Sequence, residues 1–385
     1  MRGGGRLVAA HPSADIVKDG GTRVRGGQDF ILLVAVLSLL AVGTLVVFSA
    51  SAPGALYALG TPYHFIERQI MWAALGIGLM VATSRIDYWR YDRGILPFFG
   101  LSVLLLIVVL VPHIGREING SRRWLGFGPL IVQPSELAKL SMVMLFARLL
   151  SINQNRIGDF WRGVVPHLAI ASVVFGLVIA EPDLGTTVAL AGTFFVMLFV
   201  AGARTRHLLG LGTSALPILA AAIVAAPYRV QRVTTFLNPW KDPLGAGFHT
   251  IQGLLALGSG GILGVGLGAS RQALGFLPEA YTDFAFAVLG EEMGLLGTIS
   301  VVVLFLILAW RGYRIAMRAP DLFGSLLATG ITTMIALQAG INIGVVTDTL
   351  PVTGITLPFI SYGGSSLVLS LCGVGILLNI SQHAT

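Results

Sequence analysis

Long apolar runs separated by short polar segments recur through most of this 385-residue chain. A helix needs about 20 apolar residues to cross the hydrocarbon core of a bilayer. Ten runs come close to that length or exceed it, near residues 29–51, 66–84, 94–112, 134–152, 164–181, 185–203, 207–227, 284–310, 322–346 and 360–380. Only Glu181, Pro182 and Asp183 join the fifth and sixth runs, and proline between two carboxylates predicts a polar turn there. The pattern predicts an all-α polytopic membrane protein with about ten transmembrane helices.

The composition agrees with lipid as the surrounding solvent. Charged residues make up 11% of the chain and hydrophobic residues 55%, whereas soluble proteins carry roughly 25% charged residues. The 49 glycines fit a membrane bundle, because small residues let helices approach closely. The net charge of +7 is spread between the runs, so it predicts topology anchors and no nucleic-acid partner. With a single cysteine, Cys372, no disulfide can form within the chain.

The basic residues also predict the orientation of the helices. Alternate segments between the runs hold about twice as many Lys and Arg residues as the remaining segments, and the richer set belongs in the cytoplasm. Both termini then lie in the cytoplasm. Residues 1–28, which are polar, basic and Gly-rich, predict a disordered cytoplasmic tail, and residues 29–380 a single transmembrane domain. The long extracytoplasmic loop 228–283 between helices 7 and 8 contains apolar stretches, so we expect it to fold back onto the membrane surface.

Charged residues inside the apolar runs are candidates for function, because burying one at a helix centre costs about 2.5–3.5 kcal/mol. Glu136 and Lys139 are spaced i,i+3, so they share one helix face and can neutralise each other. The pair either stabilises the start of the fourth helix or lines a polar cavity. Glu291 and Glu292 lie about 12 Å beyond Asp283 at 1.5 Å per residue. They could reach the same cavity or the membrane interface.

The loop 228–283 holds further candidates at its two ends. Arg229 and Arg232 open it, and planar guanidinium groups match phosphate oxygens in a two-point geometry. Asp283 closes it, where the chain re-enters the membrane. An aspartate at that point either caps the next helix or takes part in chemistry. The residues alone leave both interpretations open.

Longer motifs carry a resemblance to a known family. They are Asn119–Trp124 followed by Gln133–Glu136, Arg232–Pro239, Leu277–Glu279 with Thr282–Phe284, and Leu357–Ser366. With these motifs the chain resembles the SEDS family (shape, elongation, division and sporulation; the FtsW, RodA and SpoVE branches) over nearly all of its length after residue 28. Thr356-Leu357-Pro358 and the basic tail are most similar to the FtsW cell-division branch. Tyr281 and Asp348 depart from the histidine and the glycine that are common in the family.

The resemblance implies a peptidoglycan glycosyltransferase that polymerises lipid II into β-1,4 glycan strands at the outer face of a bacterial inner membrane during cell division. Lipid II is an undecaprenyl-pyrophosphate-linked disaccharide peptide. Asp283 matches the essential acid of the family and is the expected catalytic residue. The expected substrate-binding residues are Arg123, Arg229, Arg232, Glu136, Lys139, Glu279, Ser361 and Tyr362. A divalent cation, Mg²⁺ or Mn²⁺, is the expected cofactor, with Asp283 as its ligand.

The resemblance also implies partners and leaves other functions to be separated by experiment. The expected partners are a class B penicillin-binding protein that supplies transpeptidation, other division proteins, and membrane lipid. A lipid II flippase or another transporter is an alternative, because polar residues lie within the helices. A non-catalytic scaffold and a RodA-type elongation polymerase are further alternatives.

Overall fold

The chain forms a bundle of α-helices with a small β-sheet at one end. The computed structural model describes residues 26–118, 121–127 and 130–384. The helices are α1 (Phe30–Leu59), α2 (His64–Arg85), α3 (Ile95–Leu110), α4 (Pro134–Ile152), α5 (Val165–Ala180), α6 (Leu184–Val200), α7 (Thr205–Val224), α8 (Pro227–Leu237), α9 (Phe248–Ser259), α10 (Ala285–Arg318), α11 (Leu322–Val346) and α12 (Gly364–Ser381). The strands are β1 (Gly115–Ile118), β2 (Ser121–Phe127) and β3 (Leu130–Val132). Short helical turns lie at Tyr88–Arg93, Gln154–Arg156, Phe160–Val164, Pro239–Lys241 and Gln272–Leu274.

Each of the ten predicted runs coincides with one helix, namely α1 to α7 and α10 to α12. In the described part of the chain, 7 helices are long and apolar enough to cross a membrane. Helices α3 and α6 are apolar but have only 16 and 17 residues, and α4 carries the charged residues Glu136, Lys139 and Arg148. The all-α polytopic membrane fold is confirmed, and the number of ten crossings stays a prediction.

Three helices begin at aspartates that act as N-caps. The carboxylates of Asp29, Asp183 and Asp321 accept hydrogen bonds from backbone N–H groups three residues later, at 3.0, 3.0 and 2.7 Å. Such caps satisfy donors that the first helical turn leaves unpaired. The turn at residues 181–183 therefore separates α5 from α6, as the sequence predicts.

Most of the predicted tail, residues 1–25, lies outside the described residues. The Gly26 N–H donates to the carbonyl oxygen of Gln382 at 2.8 Å. The two ends of the described chain therefore meet at the same end of the bundle.

Helices α11 and α12 form the centre of the bundle. In their most apolar stretches 72% and 78% of the residues are buried, against 6% in α7. Helix α7 therefore lies at the edge, with Leu208 as its buried residue. The central helices give the site described below a rigid support, whereas the apolar surface of α7 needs lipid or a partner to cover it.

Helix α10 is interrupted near its start. Gly294 has φ 64° and ψ −163°, outside the helical region, and only glycine adopts this conformation readily. Backbone of the preceding segment fills the break: Val265 N–H donates to the carbonyl of Glu291 at 3.0 Å, and Leu295 N–H to that of Gly261 at 2.9 Å. These bonds satisfy the backbone groups that the interruption frees.

Glu291 and Glu292 hold this inserted segment in place. The carboxylate of Glu291 accepts from Ser270 Oγ at 2.5 Å, Arg271 N at 3.0 Å and Gln272 N at 3.3 Å. Glu292 accepts from Gly268 N at 3.1 Å and from the hydroxyl of Ser49. Both residues are buried, and neither lines the cavities described below. Glu291 and Glu292 were expected to reach either the cavity or the membrane interface. They do neither, because both side chains are buried against the inserted segment.

Residues 113–133, predicted only as a connection, contain a three-stranded antiparallel sheet in the order β1-β2-β3. Side chains alternate between the two faces of a strand. Accordingly the side chain of Arg122 is 43% exposed and pairs with Glu117, while that of Arg123 is 14% exposed and turns towards the bundle. The sheet therefore places one of two adjacent arginines at the site.

The predicted loop 228–283 contains two helices, α8 and α9, together with the segment inserted at the α10 break. Helix α9 buries Thr250, Ile251, Gly253 and Ala256. Ile262 and Leu263 remain 66% and 77% exposed. Contact of this surface with the membrane stays a prediction.

Candidate active site

Asp283 lies in the wall of a cavity of about 440 Å³ at the sheet end of the bundle. It precedes α10, but the N-cap of that helix is Phe284, and no side chain caps it. The carboxylate of Asp283 is therefore not used as a helix cap. The cavity is lined by Phe65, Arg68, Trp72, Ser121, Arg123, Trp124, Ile131, Gln133, Glu136, Thr186, Arg232, Glu279, Tyr281, Thr282, Asp283, Gly354, Ile355, Thr356, Tyr362, Gly363 and Gly364.

The surroundings of Asp283 shift its acidity. Burial, followed by the negative charge of Glu279, raises the pKa of Asp283 to about 7, against the opposing influence of Arg232 and Arg123. Burial disfavours the charged form, and a neighbouring carboxylate does the same. A carboxylate with a pKa near neutrality can accept a proton and release it again at physiological pH, which is the property of a general base.

Arg123, on β2, is held by the turn between α5 and α6. Its Nε donates to the carbonyl oxygen of Glu181 at 2.9 Å and its Nη2 to that of Pro182 at 2.5 Å. Asp183 lies 3.6 Å from Nη1. Two of the three contacts are to neutral carbonyl groups, so part of the positive charge of Arg123 remains available to a ligand in the cavity.

Glu181 does not neutralise Arg123 at neutral pH. Burial and the nearby charge of Asp183 raise the pKa of Glu181 to about 9, although Arg123 acts in the opposite direction. The side chain is fully buried, and neither carboxyl oxygen has a hydrogen-bond partner in the described part of the chain. Glu181 is therefore a neutral acid at pH 7, and the charge of Arg123 is balanced chiefly by Asp183.

A second cavity of about 500 Å³ adjoins the first. Ser121, Arg123 and Arg232 line both cavities. The remaining lining residues are Pro182, Tyr228, Gln231, Thr235, Phe236, Ala246, His249, Thr250, Asp348 and Val352. The two arginines thus stand on a shared wall, where a polyanionic group bound in either cavity can reach them.

Glu136 and Lys139 form the ion pair that their spacing predicts, with 2.9 Å between Oε2 and Nζ. Glu136 lines the first cavity, whereas Lys139 lies deeper and also donates to Oε1 of Gln338 at 2.5 Å. The side chains of the pair are 8% and 5% exposed. The pair therefore forms part of the floor of the cavity.

Two amides of α11 were missed by the sequence analysis. Gln338 joins Lys139 to the carbonyl oxygen of Thr356, to which its Nε2 donates at 3.0 Å. Asn342, one turn further on, donates to the carbonyl oxygens of Asp283 and Ile355. Their i,i+4 spacing in an otherwise apolar helix is a signal that could have found them, since such pairs share a face and buried polar groups need partners.

The other expected substrate-binding residues divide into two groups. Tyr362 and Glu279 line the first cavity, and Glu279 accepts from Thr282 Oγ1 at 2.7 Å. Arg229 donates to Tyr228 Oη and to backbone carbonyls of α5 and α7, and it lines neither cavity. Ser361 Oγ accepts from Leu357 N at 2.9 Å and holds a turn. The structure therefore brings Glu279 and Tyr362 to Asp283, but not Arg229 or Ser361.

An aromatic cluster forms another part of the first cavity. The ring of Tyr281 lies 4.6 Å from that of Phe65 and 5.8 Å from that of Tyr362, measured between centroids. Tyr362 N also donates to the carbonyl oxygen of Tyr281 at 2.8 Å. The cluster presents apolar faces beside Asp283, which suits the ring faces of a bound sugar.

The side chains of the first cavity that could bind a metal ion are the carboxylates of Asp283, Glu279 and Glu136. Among the described residues, no group of three or more His, Cys, Asp or Glu side chains could hold a metal ion. Mg²⁺, however, is commonly held by one or two carboxylates together with substrate phosphates and water. Asp283, with Glu279 nearby, fits that mode and does not form a cage by itself.

Comparisons with known proteins agree on one family. A family model described as "Cell cycle protein", of FtsW, RodA and SpoVE, matches residues 30–385. Stage V sporulation protein E of Bacillus subtilis (strain 168) is 47% identical over 363 residues, 94% of this chain and 99% of that protein. The probable peptidoglycan glycosyltransferase FtsW of Geobacter metallireducens is 42% identical over 355 residues, 92% of this chain and 95% of that protein.

Solved structures show the same fold. A chain from a structure described as "Structural coordination of polymerization and crosslinking by a peptidoglycan synthase complex" matches with a TM-score of 0.75 and 34% identity, covering 92% of this chain and 97% of that one. The rod shape determining protein RodA of Thermus thermophilus matches with a TM-score of 0.68 and 32% identity, covering 92% of this chain and 96% of that one.

Proposed function

Because the chain belongs to the family of cell cycle proteins that includes FtsW, RodA and SpoVE, we propose that it is a peptidoglycan glycosyltransferase that polymerises lipid II into β-1,4 glycan strands. One observation carries the proposal. A carboxylate with a pKa near neutrality, Asp283, lines the same cavity as two guanidinium groups, Arg123 and Arg232. A base and an anion-binding wall are what transfer of a sugar from a pyrophosphate requires.

The proposed reaction is a single inverting displacement. The 4-hydroxyl oxygen of the acceptor sugar attacks C1 of the donor sugar, and its proton passes to the carboxylate of Asp283. The bond between C1 and the pyrophosphate oxygen breaks, and its electron pair leaves with the polyprenyl pyrophosphate. An α-linked donor thereby becomes a β-1,4 bond. Arg123 and Arg232 stabilise the negative charge that develops on the leaving group.

Two adjoining cavities support a reaction between two lipid-linked substrates. Both cavities reach the shared wall of Ser121, Arg123 and Arg232, and Asp283 lines only one of them. We propose that the two cavities bind the donor and acceptor glycans side by side, with the pyrophosphate near the shared arginines. Glu136 and Lys139 form part of the floor of the first cavity, and their charges contribute to the electrostatic field inside it.

A divalent cation, Mg²⁺ or Mn²⁺, would be held at this site by the carboxylate of Asp283, with Glu279 nearby in the same cavity lining. When bound it would supply positive charge to the leaving group. Asp283 would then share its carboxylate between the cation and the proton of the acceptor.

The location that we propose is a bacterial inner membrane, with the active site on its extracytoplasmic face. The distribution of Lys and Arg supports this orientation, because the segments that alternate with the site-bearing ones hold more of the basic residues. The site also lies at one end of the bundle, where substrates anchored by lipid tails can enter from the membrane.

The proposed partner is a class B penicillin-binding protein that crosslinks the new strands. Similarity to a chain of a peptidoglycan synthase complex supports a partner of this kind. The cellular role that we propose is cell division, with other division proteins as further partners. Relatives named FtsW support this role, and the relative named for stage V sporulation makes sporulation the main competing role.

Purified protein in vesicles with lipid II tests the proposal. We expect glycan strands, and we expect D283A and D283N to reduce polymerisation by about 10²–10⁴-fold, as loss of a general base does. The matched control is D242N, because Asp242 lies in the same segment, lines neither cavity and is exposed. D242N should keep the wild-type rate.

The same vesicles separate the alternative functions. Movement of lipid II between leaflets without glycan strands would indicate a flippase, and neither activity would indicate a scaffold. Near wild-type polymerisation by D283A would contradict the assignment of the base while leaving the polymerase activity in place.

A further inference from the structure

The buried side chain of Asn342 joins two backbone segments of the candidate active site. It is 1% exposed and lies in α11. Its Nδ2 donates to the carbonyl oxygen of Asp283 at 2.8 Å and to that of Ile355 at 2.7 Å. Both partners are acceptors, so the amide nitrogen and not the amide oxygen must face them. One side chain therefore ties α11 to the turn that carries Asp283 and to the chain before α12.

The second segment lies beside the carboxylate in the lining of the first cavity. Ile355 and its neighbours Gly354 and Thr356 line the first cavity together with Asp283. A Cβ added at Gly354 would lie 3.5 Å from Asp283 Oδ2, so the two segments are in close contact. Asn342 thus fixes the spacing of two adjoining segments that line the first cavity.

Other restraints on Asp283 come from the backbone. Phe284 N donates to the carbonyl oxygen of Glu279 at 3.2 Å, which closes the turn before α10. No hydrogen bond from a side chain of the described residues reaches the carboxylate itself, and no side chain caps α10. The position of the carboxylate therefore depends on the backbone that Asn342 holds.

The side chain of Asn342 makes no hydrogen bond to any other part of the described chain. Its Oδ1 has no hydrogen-bond partner within the described residues. Here both donors of the amide are used on the two active-site segments.

Asn342 also belongs to a two-residue ladder on α11. One turn earlier, Nε2 of Gln338 donates to the carbonyl oxygen of Thr356, and its Oε1 accepts from Lys139. Residues four apart share a helix face. Gln338 and Asn342 therefore form a row of buried amides between the Glu136–Lys139 ion pair and the backbone of Asp283.

We propose that Asn342 is a positioning residue for glycosyl transfer, which holds the backbone of Asp283 against the wall formed by residues 354–356. Asn342 does not line either cavity, so it acts through the backbone and not by touching substrate. This inference rests on the proposed function. A displacement of about 1 Å at a catalytic group is enough to lower a rate by about 10²-fold.

The variants for the test are N342A and N342L, with T333V as the matched control. Leucine has the same branched arrangement of four side-chain heavy atoms as asparagine and no donor. N342L therefore removes both hydrogen bonds and fills the site with larger methyl groups, whereas N342A removes them and leaves a gap. Thr333 is also buried in α11, and its Oγ1 lies 2.9 Å from Oη of Tyr313. It stands about 13.5 Å along the helix from Asn342 at 1.5 Å per residue, away from both cavities.

Steady-state polymerisation of lipid II at several substrate concentrations gives the readouts. We expect N342A and N342L to lower kcat by about tenfold or more with KM within about threefold of wild type. T333V should retain the wild-type kcat and KM.

Three outcomes would overturn the inference. They are a kcat within twofold of wild type in both variants, an equal loss in T333V, and loss of the folded protein in both variants while T333V folds. D283A measured in parallel separates the two hypotheses. If D283A is inactive and N342L is fully active, only the role of Asn342 is wrong; if D283A is active, the proposed base itself is wrong.

Discussion

Replacing Arg123 tests whether the shared wall stabilises the leaving group. R123A removes a guanidinium that lines both cavities. Removing one preorganised donor to a developing oxyanion costs about 2.7–4 kcal/mol, or about 10²–10³-fold in kcat. R123K keeps the charge but loses the bonds from Nε and Nη2 to two carbonyl oxygens. Because charged hydrogen bonds are worth about 1.5–3 kcal/mol, we expect R123K to lose about 10–100-fold.

The pH dependence of R123A gives a second readout. Arg123 holds the pKa of Asp283 down, in opposition to burial and Glu279. Without the guanidinium the pKa of Asp283 rises further, so the acidic limb of the rate profile moves to higher pH.

Arg122 supplies the control for these variants. It is the adjacent residue on the same strand, but it faces away from the cavities and pairs with Glu117 on the surface. We expect R122A to keep the wild-type kcat in vesicles with lipid II. Equal rates for R123A and R122A would refute the role of the wall, and full activity of R123K would refute its dependence on guanidinium geometry.

Three further substitutions test the fold around the site by thermal unfolding and hydrogen exchange. E291A leaves three donors unpaired, so we expect a loss of about 3–4 kcal/mol and faster exchange at residues 260–283, with a smaller loss in E291Q. G294A should destabilise by about 2–4 kcal/mol, because its Cβ would overlap the backbone that fills the α10 break. The control G258A has nothing within 4 Å of the added Cβ and lies inside α9, so it should stabilise by up to about 1 kcal/mol. D348G should stabilise by about 0.5–1 kcal/mol, since Asp348 has φ 54°.

The apolar pattern predicted the helices well because a membrane helix is a local feature. Each run is set by the length of the hydrocarbon core, and the ends at Asp29 and Asp183 carry recognisable caps. The break at Gly294 was not predicted, since it depends on pairing with residues 260–268 and leaves the apolar pattern intact. Non-local pairing of this kind has no periodic signal in the sequence.

The candidate site was predictable where charge and spacing carry the information. Glu136 and Lys139 share a helix face by their spacing alone, and the structure pairs them. Nothing in the sequence distinguishes Arg229 from Arg232. In the structure the guanidinium of Arg229 donates to carbonyl oxygens of neighbouring helices and does not reach a cavity. Which of two arginines reaches a cavity depends on the packing of other elements. The uncharged Asn342 was missed because its two partners are backbone atoms of distant segments.

The rate of a single turnover as a function of pH tests the central claim most directly. With a pKa of about 7 for Asp283, the ionised fraction is about 0.09 at pH 6 and about 0.91 at pH 8, since each pH unit changes the ratio of the two forms tenfold. The account predicts that the rate of glycan transfer rises about tenfold between these values, and that this rise is absent in D283N. A wild-type rate that changes by less than twofold over that range, or an unchanged profile in D283N, would contradict it.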